Sequence, residues 1–111
     1  MMYRTEISIY KLTLYVPESH LETVKKALFK AGAGRYKNYD RCCWQIEGHG
    51  QFRPLKGSDP FLGSEQVEEH LPEYRVEMIC EEQLIGDVAA ALKNCHPYEE
   101  PAFDFIKIET G

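Results

Sequence analysis

Residues 10–32, YKLTLYVPESHLETVKKALFKAG, decide the fold of this chain because they contain a complete strand–helix unit. In residues 10–16 apolar side chains occupy every second position, which is typical of a strand with one buried face. Ser19 and Glu22 match the S-x-x-E capping box that starts many helices. Gly32 is expected to end this helix as its C-cap. The buried stripe of the predicted helix comprises Leu21, Val24, Ala27, Leu28 and Ala31.

A second strand and a long glycine-rich segment follow this unit. Residues 41–47 predict the strand, and Gly48-His49-Gly50 are expected to interrupt it with a bulge or a bend. Residues 51–55 then resume extended structure. Residues 56–64 contain several turn-forming residues close together, which indicates a loop.

The last part of the chain supplies two more strands and another helix. Alternation over residues 73–80 predicts the third strand, with a start as early as Val67. Glu81 and Glu82 favour the start of the next helix because they complement its dipole. The buried stripe of that helix is expected to comprise Ile85, Val88, Ala89 and Leu92. The helix should end near Asn94, and residues 102–108 form the fourth strand.

The predicted order is βαββαβ, which defines an α+β ferredoxin-like sandwich in a single domain spanning residues 1–111. This architecture has a four-stranded antiparallel sheet with both helices on one face. Here it carries an extended glycine-rich hairpin. The opposite face of the sheet also receives apolar side chains, because Ile106 and Ile108 oppose Phe103 and Phe105. Apolar residues on both faces predict that another subunit covers the open face.

Composition restricts the classes of partner. The 111 residues are 43% apolar and 28% charged, as expected for a globular protein with one core. The net charge of -5 disfavours nucleic acid and anionic membrane surfaces as partners. No apolar run approaches the roughly 20 residues of a membrane span, and residues 1–6 do not begin a signal peptide. We therefore expect no membrane association and a cytoplasmic location.

The four cysteines, Cys42, Cys43, Cys80 and Cys95, contain no CxxC pair. Adjacent strand residues point to opposite faces, so Cys42 and Cys43 are poorly placed to chelate one ion. We therefore expect the cysteines to be small apolar fillers. The acidic run Glu65, Glu68, Glu69 and Glu73 indicates a solvated surface, or a cleft between subunits if the chain assembles.

The segment His96-Pro97-Tyr98-Glu99-Glu100-Pro101 is the main candidate site. Its two prolines restrict the backbone, so an imidazole, a phenol and two carboxylates are held at the entrance to a strand. His96 with Glu100 could bind a divalent metal ion, and the segment could bind a small ligand. The alternative is a rigid strand entry whose polar groups stabilise the fold or a subunit boundary. A third possibility is catalysis with His96 as acid or base, although no nucleophile is paired with it.

Gly48-His49-Gly50 with Arg53 is the second candidate site. Glycines allow the backbone to approach a ligand closely, and Arg53 could hold a phosphate or a carboxylate. The spacing does not match a P-loop. The alternative is a bulged hairpin edge that wraps around a neighbouring subunit.

The two candidate sites, together with the segment Glu73-Tyr74-Arg75-Val76-Glu77, resemble the small domain inserted in many proteins of the Nif-three-like family. The resemblance extends over residues 10–108. The positions shared with that domain are Gly32, Gly34, Gly48, Gly50, Arg53, Pro54, Gly57, His96, Pro97, Tyr98, Glu99, Glu100 and Pro101. It implies a fold similar to the PII and CutA trimers, and therefore a homotrimer.

The resemblance does not imply that this chain has the metal-dependent activity of the larger domain. The larger domain of the full-length relatives carries a two-metal site, and nothing in this chain matches its ligands. We therefore expect a non-enzymatic regulatory, ligand-sensing or scaffold module without a required cofactor. Its ligand would lie near residues 48–54 and 96–101. The first alternative is a CutA-like protein that binds a divalent metal through His96 and a glutamate, with Cys42 or Cys43. The second is an enzyme that uses His96.

Overall fold

A computed structural model describes residues 7–111 and has the predicted order of elements. The strands are β1 (Ile9–Val16), β2 (Trp44–Phe52), β3 (Glu69–Glu81) and β4 (Phe103–Ile108). The helices are α1 (Leu21–Lys30) and α2 (Ile85–Cys95), each preceded by a short 3-10 turn. The expectation that residues 1–6 do not begin a signal peptide lies outside the described residues.

The four strands form one antiparallel sheet in the order β2-β3-β1-β4. Both helices pack on the same face of this sheet, so the ferredoxin-like sandwich is confirmed. The core contains alternate residues of β1 and β3 and the stripes of both helices: Leu12, Leu14, Val16, Val76, Met78, Cys80, Leu21, Val24, Leu28, Val88 and Leu92. Neither described helix is long and apolar enough to cross a bilayer.

Helix α1 ends as predicted but begins differently. Gly32 has φ +107°, and the N–H groups of Gly32 and Ala33 bind the carbonyls of Phe29 and Leu28, which is a Schellman cap. The predicted capping box is wrong. Ser19 lies in the 3-10 turn and its hydroxyl bonds His20 Nδ1 at 2.8 Å, while no side chain caps the helix at His20. The chain turns at Pro17, whose carbonyl accepts from the His20 N–H, and the helix starts one residue later than the motif requires.

The predicted interruption of β2 is also wrong. The strand begins at Trp44 rather than Arg41, and it runs unbroken through Gly48 and Gly50 to Phe52. Each residue of this stretch has one partner on β3, from Trp44 opposite Glu77 to Phe52 opposite Glu69, which leaves no room for a bulge. Pairing with a long neighbouring strand therefore overrides the local preference of glycine for turns.

Strand β3 starts at Glu69, within the predicted range that reached back to Val67, and β2 and β3 together extend beyond the sheet as a two-stranded arm. Pairing of β1 with β3 ends at Val16 opposite Tyr74, whereas β2 and β3 stay paired as far as Glu69. Pro72 is tolerated here because β3 has a strand on only one side. The turn-rich loop joins the two strands of the arm, as predicted.

The open face of the sheet carries large apolar side chains. Trp44 is 56% exposed, Ile46 51% and Ile106 61%, and the strand register places all three on the face opposite the helices. This confirms that large apolar side chains lie on both faces of the sheet, although Lys11, Arg75 and Glu77 share the open face with them.

Three of the four cysteines are part of the packing. Cys80 is buried in the core, and Cys43 and Cys95 pack against it. Burial raises the pKa of the Cys80 thiol to about 11, so the thiol is protonated at neutral pH. All four cysteines are free thiols.

We expect the Gly34→Ala variant to lose more stability than Gly57→Ala. Both glycines have positive φ, +79° and +93°, so alanine is strained by about 1–2 kcal/mol at either position. Only at Gly34 would the new Cβ also meet fixed atoms, 2.9 Å from the Cys42 carbonyl oxygen and 2.9 Å from the Phe29 ring. This overpacking adds about 1–3 kcal/mol. Urea denaturation measures the difference, and equal midpoints for the two variants would refute it.

Candidate functional site

His96 is a buried structural residue. It follows α2 directly, is 7% exposed and uses both ring nitrogens. Nε2 lies 2.7 Å from the carbonyl oxygen of Tyr15, and Nδ1 lies 3.1 Å from the backbone nitrogen of Tyr98. Because the carbonyl can only accept and the N–H can only donate, the ring is neutral with its proton on Nε2. Burial lowers its pKa below the ordinary 6.5, with His20 acting in the same direction against the opposing effects of Tyr15 and Glu73.

Tyr98 joins this segment to the sheet. Its hydroxyl donates to Oε2 of Glu73, a residue of β3, at 2.9 Å. The Glu73 side chain lies against the backbone of Gly50, where a Cβ atom would collide with it. Burial first, and then the bond to Glu73, raise the pKa of Tyr98 above its ordinary value. Gly50 is therefore needed to make room for a carboxylate rather than to bend the strand.

The turn-rich loop folds back onto the same segment. The backbone N–H of Asp59 donates to Glu99 Oε2 at 3.0 Å. The Phe61 ring lies 6.3 Å from the Tyr98 ring and 5.4 Å from the His20 ring, centroid to centroid. These contacts tie the loop to residues 96–101 although the two are about 40 positions apart in sequence.

The loop, the arm and residues 96–101 line a cavity of about 420 Å³ that is open to solvent on one side, here called the main cavity. Its walls contain Tyr98, Glu99 and Glu100 of the first predicted site, whereas the second predicted site contributes only the sequence neighbours Gln51, Phe52 and Pro54. The lining residues are Tyr15, Gln51, Phe52, Pro54, Ser58, Pro60, Phe61, Leu62, Glu73, Tyr98, Glu99, Glu100 and Ala102. The volume lies in the range of small-molecule binding sites, which are mostly apolar with a few polar groups.

The main cavity is acidic. Glu73, Glu99 and Glu100 are its charged lining residues, and the lining includes no lysine, arginine or histidine. Its remaining walls are largely aromatic, aliphatic or proline side chains. A ligand with a negative charge would therefore meet only like charges within these walls.

The other predicted site residues lie outside this cavity. Gly48 and His49 border a second cavity of about 200 Å³ on the sheet, together with Tyr15, Ile46, Glu73 and Arg75. Arg53 is exposed and borders neither cavity. Tyr98, Glu99 and Glu100 thus lie next to the hairpin formed by β2 and β3. His96 does not line the cavity and contacts the backbone of Tyr15 and Tyr98 instead.

A metal ion at His96 and Glu100 stays a prediction. Within residues 7–111 no group of three or more His, Cys, Asp or Glu side chains is arranged to hold a metal. A metal at His96 would also have to displace Tyr15 or Tyr98 from the imidazole. Equilibrium dialysis with copper and zinc is the direct measurement.

Three residues of the main cavity could not be chosen from the sequence as site residues. The sequence places Glu73 in an acidic run and in the segment Glu73-Tyr74-Arg75-Val76-Glu77 that carries the family resemblance, and Tyr15 in a strand. Phe61 lies in the turn-rich loop next to Leu62. Two adjacent large apolar residues are unusual in a solvated turn, and this was the sequence signal that could have identified Phe61.

We expect Gly50→Ala to break the bond between Tyr98 and Glu73 without unfolding the protein. The new methyl group would displace the flexible Glu73 side chain. Removing this partner lowers the pKa of Tyr98 toward its ordinary value, and the stability cost is about 1 kcal/mol. Gly48→Ala is the matched control, because a Cβ there meets no atom within 4 Å. A ¹³C NMR titration of Tyr98 reports the change, and an identical pKa in both variants would contradict it.

The fold is that of a ferredoxin-like domain of the type seen in the CutA and PII-like proteins. CutA from Archaeoglobus fulgidus superposes with a TM-score of 0.67 at 18% identity, covering 93% of this chain and 86% of that one. GlnK from Bacillus subtilis superposes with a TM-score of 0.61 at 12% identity, covering 91% and 85%. At this identity the likeness establishes the fold alone.

Sequence relatives place the chain more narrowly. A "GTP cyclohydrolase 1 type 2 homolog" of Halalkalibacterium halodurans is 42% identical over 104 residues, covering 94% of this chain and 28% of the relative. The Mycobacterium tuberculosis protein of the same name is 41% identical over 98 residues, covering 88% and 26%. The Bacillus cereus protein related to NIF3 superposes with a TM-score of 0.83 at 35% identity, covering 97% and 28%. No family model matches the chain.

The chain is therefore homologous to one region of the NIF3-related proteins, the region with the CutA and PII-like fold. It spans only about a quarter of the length of the curated relatives it matches, 28% and 26% in these two cases. The sequence resemblance to the inserted domain of the Nif-three-like family is thereby confirmed.

Proposed function

We propose that this chain is a non-enzymatic, self-associating module that binds a small molecule in the main cavity. The observation that carries the proposal is that two segments far apart in sequence meet to form the walls of this cavity. Residues 51–62 and 98–102 meet there through the Glu99–Asp59 and Phe61–Tyr98 contacts. A cavity of this size with an apolar wall and a few polar groups is typical of a ligand site.

The arrangement of His96 supports binding rather than catalysis. A general base needs a free nitrogen within reach of a substrate, but both nitrogens of His96 face backbone groups and the residue does not line the main cavity. The relatives have a cyclohydrolase in their name, but this chain corresponds to about a quarter of their length. We assign any such chemistry to the rest of those proteins.

The exposed face of the sheet supports self-association. Trp44 and Ile46 on β2 and Ile106 on β4 leave large apolar side chains exposed to water at both edges of this face. The resemblance to the PII and CutA proteins implies a trimer, so we propose a homotrimer that buries this face. The main cavity lies at the end of the same sheet, next to the arm, where assembly could order its walls.

A fragment library screened by ¹⁵N–¹H spectra tests the binding function. We expect compounds that bind to perturb the amides of Gln51, Phe61 and Tyr98, which lie on three sides of the main cavity. Native mass spectrometry of the same sample reports the assembly and any ligand retained through purification. Compounds that bind only elsewhere, or a library without a single binder, would refute the binding function, and a monomer would refute the proposed assembly.

A further inference from the structure

We propose that the ligand of the main cavity is a small organic cation, a protonated amine or a guanidinium group on a flat apolar body. This inference rests on the proposed binding function and specifies its ligand class. Three observations support it: the sign of the charge in the walls, the shape and chemistry of the apolar part, and the fixed position of two carboxylates.

The charge of the walls selects a cation. Glu73, Glu99 and Glu100 line the cavity together with neutral residues only. The chain as a whole carries a net charge of -5, so the surrounding field has the same sign. A phosphate or a carboxylate would need an arginine or a lysine in the walls, and Arg53, the residue that the sequence suggested for this role, is outside them.

The aromatic and aliphatic walls favour a ligand whose apolar part is a flat ring system. Tyr15, Phe52, Phe61 and Tyr98 contribute four aromatic side chains, and Pro60 and Leu62 add aliphatic surface. Aromatic faces bind other rings and also attract cations. A volume of about 420 Å³ accommodates a one- or two-ring molecule with a short side chain.

Two of the carboxylates are held in place before a ligand arrives. Glu73 accepts the Tyr98 hydroxyl and Glu99 accepts the Asp59 N–H, in each case through Oε2. A carboxylate has two oxygens, so each group retains a free acceptor for an ammonium or guanidinium donor. Fixed acceptors reduce the ordering that binding would otherwise require.

Three indole compounds with nearly the same body test the charge preference. Tryptamine carries a cation, tryptophol is neutral and indole-3-acetate carries an anion at neutral pH. We expect tryptamine to perturb the Gln51, Phe61 and Tyr98 amides with a dissociation constant about 5-fold lower than that of tryptophol, and indole-3-acetate to bind most weakly. The preference should shrink as salt is added, because the carboxylates are partly accessible to solvent.

A Glu73→Gln variant locates the preference in the cavity. Glutamine keeps an acceptor for the Tyr98 hydroxyl but removes the charge, so the preference for tryptamine over tryptophol should fall several-fold. Glu109→Gln is the control, because it makes the same change in net charge at an exposed position outside the cavity. It should leave the preference unchanged.

The outcomes separate this inference from the proposed function. If tryptophol or indole-3-acetate binds the cavity as tightly as tryptamine, the cationic ligand class is wrong and the binding function stands. If the preference for tryptamine survives in Glu73→Gln, it does not arise from this carboxylate and the assignment is overturned. If none of the three compounds perturbs the cavity amides, the result counts against both the ligand class and the binding function.

Discussion

Trp44→Lys should convert the proposed homotrimer into monomers. Trp44 is 56% exposed on the open face of the sheet, next to Ile46 on the same strand and opposite Glu77 of β3. Burying a tryptophan at a subunit interface contributes about 2–4 kcal/mol. Lysine loses this contribution and adds a charge that an apolar interface cannot solvate. We expect the dissociation constant of the assembly to rise by at least about 100-fold.

Sedimentation velocity over a range of protein concentrations measures this change. Tyr39→Lys is the matched control, because Tyr39 is a 73% exposed aromatic residue in a loop rather than on the sheet. That variant should assemble like the unmodified protein. The shared-face interpretation is refuted if the unmodified protein is monomeric, or if Trp44→Lys assembles normally.

His96→Ala should destabilise the fold more than any other histidine substitution in the described chain. The pairing of β1 with β4 ends at Leu14, and His96 binds the carbonyl of the next residue, Tyr15. It also accepts the Tyr98 N–H. Alanine leaves both backbone groups without these partners and opens a space next to the core, at a cost of about 2–4 kcal/mol. Urea denaturation measures the loss.

His49→Ala is the control for this experiment, because His49 is exposed on β2 and should change stability by less than about 0.5 kcal/mol. Similar losses in the two variants would show that His96 has no special structural role. A His96→Ala protein that keeps its stability but loses ligand binding would instead show that His96 takes part in binding the ligand.

The titration of His96 should make the stability of the protein depend on pH. Burial lowers the pKa of His96 in the folded protein below 6.5, so the unfolded chain binds the proton more readily. This contribution to stability is fully present above about pH 6.5, and it decreases as the pH falls below that value toward the folded pKa. A His96→Gln variant lacks this titration, so the difference between the two pH profiles isolates it. A difference that is constant from pH 7.5 to pH 5 would contradict the assignment.

The sequence predicted the elements whose signal is local. Alternation in β1, β3 and β4, the helical stripes and the glycine after α1 are periodic or conformational features that neighbouring residues specify. These features were enough to identify the sandwich and the apolar open face. Recognition of the segments around Gly48 and His96 correctly related the chain to the NIF3-related proteins.

The incorrect predictions concern features that local sequence does not specify. Gly48 and Gly50 suggest a bend when read alone, but pairing with Glu73 and Leu71 keeps them extended. Ser19 and Glu22 have the spacing of a capping box, but Pro17 first imposes a 3-10 turn. In both cases a competing interaction with another part of the backbone decided the outcome.

The sequence by itself determined the fold class, the two apolar faces of the sheet and the two segments that border the main cavity. Only the tertiary structure decided how these segments are used: His96 faces the backbone of β1, and Tyr98 reaches Glu73, which is 25 positions away. Periodicity reports which face of an element is buried, because burial repeats with the geometry of the backbone. It does not report which side chains meet, because that depends on strand order, register and the path of the loop between Phe52 and Glu69.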